Sequence, residues 1–390
     1  MFDKINEETM RKVLLIETAS VINGGQKMSL LVSDMLVKTG KFDVIWVIPE
    51  EGLLADELKQ RSTKYYLLGN TDLPAGVKGR STIIKYGRLT ISSTLRLNLI
   101  IKREKINIIY TPGPAALPWA AICGAIMHRP VIWHLHHTFI DGPTKKLISF
   151  IAGFRSVKKI IAVSNFVGSQ IIRENSISKM QVLYNPVDYN KYSSGDRTNI
   201  LLQQPFSFAT NASVFIGHIA LIEPEKRQET TVRVVEALRK KGYDAFGVII
   251  GKAKPENEQY ITELKNTAVN SGITPYIYYL GFRHDVQDIL RCIDIEIIPS
   301  IEGFPLAGLE ACSAGVPVVT CDVGGAKEFV EVSGSGCYFR FDDSDDAAVK
   351  IIECMKNRKQ YSENGQRFAL HNGYDCYSEK LRLLFEQIEY

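Results

Sequence analysis

Runs rich in β-branched residues alternate with helical segments along the whole of this 390-residue chain, and that alternation constrains the fold more than any other feature. In the first half KVLLIET, FDVIWVIP, INIIYTP, PVIWHLHH, KKIIAVS and QVLYNP read as strands; in the second SVFIGHIA, YDAFGVIIG, YIYYLG, IDIEIIPS and VPVVTC do. Strands separated by helices of roughly ten or more residues mean parallel sheets wrapped by helices, and the pattern runs twice. A polar, less periodic segment, SSGDRTNILLQQPFSFATN (193–211), lies between the two runs. The expectation is α/β with two Rossmann-like, doubly wound domains, 1–195 and 205–376, facing each other across a cleft, with the last helix (377–390) packing back on the first. A hydrophobic content of 45% over this length is enough for two ordinary cores.

Net charge is only +4, but the first 190 residues carry 25 Lys+Arg against 15 Asp+Glu, and the remainder 22 against 28. The halves therefore present different surfaces. Basic residues interleave with Ile, Leu and Phe in STIIKYGRLTISSTLRLNLIIKREK (81–105) and TKKLISFIAGFRSVKK (144–159). That is the composition of helices resting on anionic lipid, and equally of ordinary amphipathic helices with a solvated basic face. Nucleic acid fits less well, because no recognition motif occurs and the second half is acidic. The seven cysteines are scattered singly, mostly in apolar runs (Cys123, Cys292, Cys312, Cys321), which suits reduced core thiols rather than a disulfide framework or zinc site. The start, MFDKINEETM, lacks the apolar stretch of a signal peptide and no apolar run reaches membrane-spanning length, so a cytoplasmic protein is expected.

In open α/β sheets ligands sit beyond the carboxyl ends of the strands, and the motifs gather there. After the first strand, Gly24 and Gly25 open a helix, allowing close backbone approach and turning free amides toward an anion, although most Gly-Gly turns are merely turns. The GxGxxG spacing of a dinucleotide fold is missing, which weighs against a dehydrogenase. His134, His136 and His137 end the PVIW strand; alternation puts His134 and His136 on one face, and no carboxylate at ligand spacing accompanies them, so a polar cleft lining fits better than a metal site. Lys226 and Arg227 stand at the start of a helix, where cations oppose the macrodipole. Pairing with a bound phosphate would offset that cost, whereas the bland reading is a basic pair among Glu223, Glu225 and Glu229. LGFRHDVQDIL (280–290), with Arg283, and CDVGGAKEFV, with Gly324 and Gly325, are further strand-to-helix turns.

The stretch EGFPLAGLE (302–310) holds two glutamates and no other polar side chain. Glu302 falls in the loop after IDIEIIPS, and Glu310 in the middle of a helix apolar on nearly every face, where a carboxylate is costly unless paired. Pro305 suits the first turn, and Gly315 with Pro317 ends the helix.

Taken in order, Gly24-Gly25, the strand-end histidines, AVSNF, NPVD, EKRQE, LGFRHDV, the Glu302/Glu310 pair with LEACSAGVPVV, and DVGGAKEFV resemble the retaining GT-B-fold glycosyltransferases of family 4 over essentially the whole chain. The resemblance implies transfer of a hexose-type sugar, with retention, from a nucleotide diphosphate donor, a UDP- or GDP-sugar, to a glycan or undecaprenyl-linked glycan acceptor. No bound cofactor or metal is implied. It gives Glu310 the ribose hydroxyls, Glu302 a place beside the donor sugar and leaving phosphate, and the amides of Gly303, Phe304 and Leu306 a place facing the diphosphate. Lys226 would stabilise the departing diphosphate, and His136, with His134 second, would contact the donor sugar. Arg283 belongs to the segment where such proteins read the base. With no enzymatic nucleophile in view, front-face attack by the acceptor hydroxyl is expected. One departure stands out: relatives carry Gly-Arg-Leu where this chain has Gly217-His218-Ile219, so either His218 takes the arginine's role or Arg227 compensates. Bacterial surface polysaccharide assembly at the inner membrane face is the setting implied. Nucleotide-sugar 2-epimerases on the same fold, and a non-catalytic nucleotide-sugar-binding subunit, are the rival readings.

Overall fold

The computed structural model describes residues 10–69, 80–139 and 142–389. The reading of residues 1–9 as no secretory leader lies outside that range, as do the side chains of the first residues of the 81–105 segment. The chain divides into two compact units, one running to Tyr184 and resuming at Tyr377, the other spanning Asn185–Cys376.

The first unit is built on strands β1 (Arg11–Ile16), β2 (Phe42–Ile48), β3 (Tyr65–Leu67), β4 (Ile108–Thr111), β5 (Val131–Leu135), β6 (Val157–Ala162) and β7 (Met180–Val182). They form one seven-stranded sheet in the order β3-β2-β1-β4-β5-β6-β7, every pair parallel. The second unit carries β8 (Ser213–Ile219), β9 (Asp244–Ile250), β10 (Ile277–Gly281), β11 (Ile295–Ile298), β12 (Val318–Cys321) and β13 (Gly336–Phe339), again all parallel, in the order β10-β9-β8-β11-β12-β13. Each is a Rossmann-like α/β sheet, and in each the winding reverses once, between β1 and β4 and between β8 and β11.

The apolar strand runs are buried on both faces, as parallel strands under helices must be. Val13 through Ile16 and Trp46 through Ile48 are fully enclosed in the first core, and Ile295, Ile297, Val318 and Val319 in the second. The sequence reading misses β3 and β13. Both are edge strands of only three and four residues, partly exposed and too short to carry a periodic signal. The division between units also falls earlier than the 193–211 segment, because the residues from Asn185 onward are tied to the second unit. Asn185 Nδ2 donates to the Phe304 carbonyl at 2.9 Å, and the Tyr192 hydroxyl to Glu310 at 2.8 Å.

The last helix, Tyr374–Glu386, belongs to the first unit from Tyr377 on. Phe385 is wholly buried, its ring 5.8 Å from Phe42 and 5.6 Å from Tyr110. Arg11 clamps the end of the chain by donating to the carbonyls of Phe385 at 3.1 Å and Ile388 at 2.7 Å. All seven cysteines are free; Cys292 is half-buried and Cys376 exposed, the others buried.

Candidate active site

The second unit's switch point, between the carboxyl ends of β8 and β11, is where the EGFPLAGLE stretch emerges. β11 ends at Ile298 because Pro299 cannot extend the ladder, and the chain runs through Ser300–Pro305 into the helix Leu306–Ser313. Pro305 stands at the N-cap in extended conformation, one position before the helix rather than inside its first turn. This loop is fastened from several directions. Gly325 N–H donates to the Glu302 carbonyl at 2.8 Å, so close that a Cβ at Gly325 would stand 1.7 Å from the Gly303 oxygen. Asn185 holds the Phe304 carbonyl, and the buried Phe304 ring packs edge-on against Phe329 at 5.2 Å.

Lys226 and Glu302 meet here. The Lys226 ammonium lies 2.8 Å from Glu302 Oε1, which also accepts from the Ser300 hydroxyl at 2.6 Å. Lys226 ends the 3-10 turn Pro224–Lys226 that follows β8, so its charge sits near the start of the helix Gln228–Lys240 as the sequence suggests. Both side chains remain partly exposed, at 26% and 19%, so the pair is reachable by a ligand. Glu310 is half-buried on its helix and accepts the Tyr192 hydroxyl from the short helix Tyr189–Ser193. Burial and the adjacent Glu310 push the Tyr192 phenol well above its usual value, so Tyr192 is a proton donor to that carboxylate throughout the working range.

The other cations of the motif set point elsewhere. Arg227, at φ 57°, swings to an ion pair with Asp342 and stacks its guanidinium 4.7 Å from the Phe341 ring. Arg283 is held by Asp285 at 2.6 Å and donates to Gln203 at 3.1 Å. His218 is buried, with Nδ1 2.7 Å from the Thr231 hydroxyl; burial and the nearby Lys226 charge push its pKa down to about 3. It is therefore a neutral imidazole at physiological pH and no cation.

In the first unit Gly24 and Gly25 do open a helix, Gly24–Lys38, whose Asn23 and Gln26 form a capping box. Space beside Gly25 is open, with nothing within 4 Å of where a Cβ would stand. Beneath lies Glu17, buried at the end of β1, accepting from Thr18 N–H at 2.9 Å and the Ser29 hydroxyl at 2.8 Å. His134 and His136 share a face as alternation requires, their rings 4.1 Å apart. His134 is wholly buried with Nδ1 2.6 Å from the Tyr110 hydroxyl, and burial takes its pKa to about 3. His136 is pushed well below the usual value by burial and then by its neighbouring imidazoles, and its Nε2 has no partner among the described residues. His137 is exposed. Among the described residues no cluster of three or more His, Cys, Asp or Glu side chains is arranged to hold a metal ion.

Sequence reasoning missed Tyr192 and Ser300. Ser300 stands in the strand exit and could have been found as the hydroxyl two residues before Glu302. Tyr192 carries no local signal, since its partner is 118 residues away.

Two all-parallel Rossmann-like units are the architecture of the GT-B fold class. Residues 22–191 match the family described as Glycosyltransferase Family 4, and residues 211–357 the family described as Glycosyl transferases group 1. The two matches, one to each half of the chain, together support a glycosyltransferase of the family-4 type. It is 23% identical over 359 residues to the Escherichia coli UDP-Gal:alpha-D-GlcNAc-diphosphoundecaprenol alpha-1,3-galactosyltransferase, covering 88% of each chain. It is 31% identical over 161 residues to the lipopolysaccharide core biosynthesis mannosyltransferase LpsB of Rhizobium meliloti, covering 40% of this chain and 46% of that one. The fold superposes on Anabaena HepE, solved in complex with UDP, with a TM-score of 0.80 at 19% identity, covering 97% of this chain and all of that one.

Proposed function

We propose that this glycosyltransferase moves a hexose-type sugar from a nucleotide diphosphate donor to a glycan or lipid-linked glycan in bacterial surface polysaccharide assembly, with retention. The observation that carries the reading is the Lys226 ammonium 2.8 Å from Glu302 at the mouth of the helix Leu306–Ser313, beyond the carboxyl end of β11. A diphosphate leaving group needs positive charge beside the start of a helix, and Lys226 meets the 300–305 loop at such a start.

Lys226 and the amides of Gly303, Phe304 and Leu306 take up the charge that builds on the departing diphosphate. Glu310, oriented by Tyr192, accepts the ribose hydroxyls. Neutral His218 offers an Nε2 hydrogen if Thr231 donates to Nδ1, so it can hold a phosphate oxygen without supplying charge. His136, kept neutral, contacts the donor sugar. The bond from the anomeric carbon to the diphosphate oxygen breaks with its electron pair leaving on the diphosphate. The acceptor hydroxyl bonds to the same face, and its proton passes to the leaving phosphate oxygen. HepE is also solved in complex with UDP-glucose, which supports the donor class, and the E. coli relative's diphosphoundecaprenol acceptor supports the acceptor class.

The helix Arg80–Glu104 supports a lipid-surface setting. Ile91, Leu95 and Leu99 are 65%, 62% and 71% exposed along one stripe, between exposed Arg88 and Lys102. Among the described residues, no helix is long and apolar enough to cross a membrane.

The test is a donor screen with UDP-, GDP-, dTDP- and ADP-sugars, scoring nucleoside diphosphate release with membrane extract as acceptor source, beside Glu310→Gln. Release from one donor, reduced about tenfold or more in the variant, is expected. Tight binding without release would favour the non-catalytic reading. Sedimentation with anionic vesicles at low salt tests the membrane partner, and failure to bind removes it.

A further inference from the structure

Glu296 is a carboxyl group that nothing in the proposed chemistry uses. It stands on β11 with no exposure, at the switch point where β8 and β11 part. The β8–β11 ladder covers only Ile216 and Gly217, while β8 stays paired with β9 through Ile219. Beyond the ladder's end the Ile219 N–H donates to Glu296 Oε1 at 2.8 Å. The other oxygen, Oε2, is buried without a partner among the described residues. It occupies the space over Gly217, where a Cβ would stand 2.7 Å from it, which gives a physical reason for glycine in Gly217-His218-Ile219.

Resting on the donor site assigned above, we propose that Glu296 is a positioning residue for donor binding: its carboxyl, bonded to the Ile219 N–H and packed over Gly217 where the β8–β11 ladder ends, holds the carboxyl end of β8 in place for the diphosphate. Its neutral state follows from its surroundings. Burial, opposed by the Ile219 N–H and reinforced by the Glu310 carboxylate, raises its pKa to about 8. From the helix Leu306–Ser313 the charge that faces it is Glu310, whose partner Tyr192 stays protonated. From β8 the neighbouring titratable group is His218, neutral at this pH, with Lys226 beyond it. On β12 its register partner is Val318, and Thr320 lies further along; neither carries charge. Ionisation would place a second buried negative charge beside Glu310, under the position of an anionic diphosphate.

The experiment is calorimetric binding of UDP-glucose and GDP-mannose, whose phosphodiesters do not titrate in the range used, at about pH 7 and about pH 9. Wild type should bind one of them about tenfold more weakly at the higher pH, the linkage expected when only the neutral acid of a group with pKa near 8 supports binding. Glu296→Gln, which keeps the shape and the acceptor for Ile219, should bind as wild type does at pH 7 and lose the alkaline weakening. Glu296→Ala should raise KM about tenfold at pH 7 with kcat much less affected, provided its thermal transition shows that it folds. Wild-type affinity flat across the range, or equal alkaline weakening in Glu296→Gln, overturns the inference while leaving the donor site standing. Absence of any nucleotide-sugar binding by wild type at pH 7 overturns the donor site and the inference together.

Discussion

Lys226 occupies a position that local electrostatics disfavours, near the positive end of a helix, and its 2.8 Å contact with Glu302 is the compensation. The sequence singles out both residues but not their pairing: from spacing, Lys226 is expected to meet a bound phosphate or Glu223, Glu225 and Glu229. The Arg227–Asp342 pair is equally unreadable, since Asp342 lies 115 residues on and spacing along the chain says nothing about which loops fold together. The buried imidazoles make a prediction at this scale. His134 and His218 have pKa values near 3, below the usual 6.5, so the unfolded chain binds more protons than the native state between those values. Stability should therefore fall as pH drops from about 6.5 toward about 4, and His218→Gln should flatten that slope, read as Tm against pH. A slope unchanged in the variant would place the acid sensitivity elsewhere. Glu296 works in the opposite sense: its raised pKa costs stability progressively as pH climbs from 4.5 to about 8, so Glu296→Gln should gain most in Tm at alkaline pH.

The helix Gly324–Ser333 approaches the 300–305 loop so closely that a side chain cannot fit at Gly325. Gly325→Ala should push the helix away, break the bond to the Glu302 carbonyl and cost about 1–3 kcal/mol or more in urea unfolding. Donor KM should rise as the Glu302 loop shifts, and a variant with wild-type stability and KM would show that the contact is dispensable. The Gly324-Gly325 turn was visible in the sequence as a strand-to-helix turn, but its partner was not: the contact with Gly303 shows a glycine required by packing. Central strands were readable because burial on both faces leaves long apolar runs, whereas the edge strands Tyr65–Leu67 and Gly336–Phe339 lack that constraint.

At the scale of the molecule the two-sheet organisation followed from the repeated strand and helix pattern, while the boundary between units did not, because it is set by side-chain ties such as Asn185 to Phe304. Tyr377, Leu381, Leu384 and Phe385 of the final helix are all buried. Together they represent roughly 6–12 kcal/mol of transfer free energy, comparable with a whole domain's stability. A chain ending at Cys376 should therefore lose the first unit and keep the second, yielding a protease-resistant fragment close to Asn185–Cys376; equal protection of both halves would show the helix to be dispensable. The second unit is thus an uninterrupted insert within the first, which bears on recombination. Joining the front half of one relative to the back half of another would import a foreign closing helix that must fit against Phe42 and Tyr110. A cassette swap at residues 185 and 376 leaves both flanks native, so viable hybrids should need two crossovers rather than one.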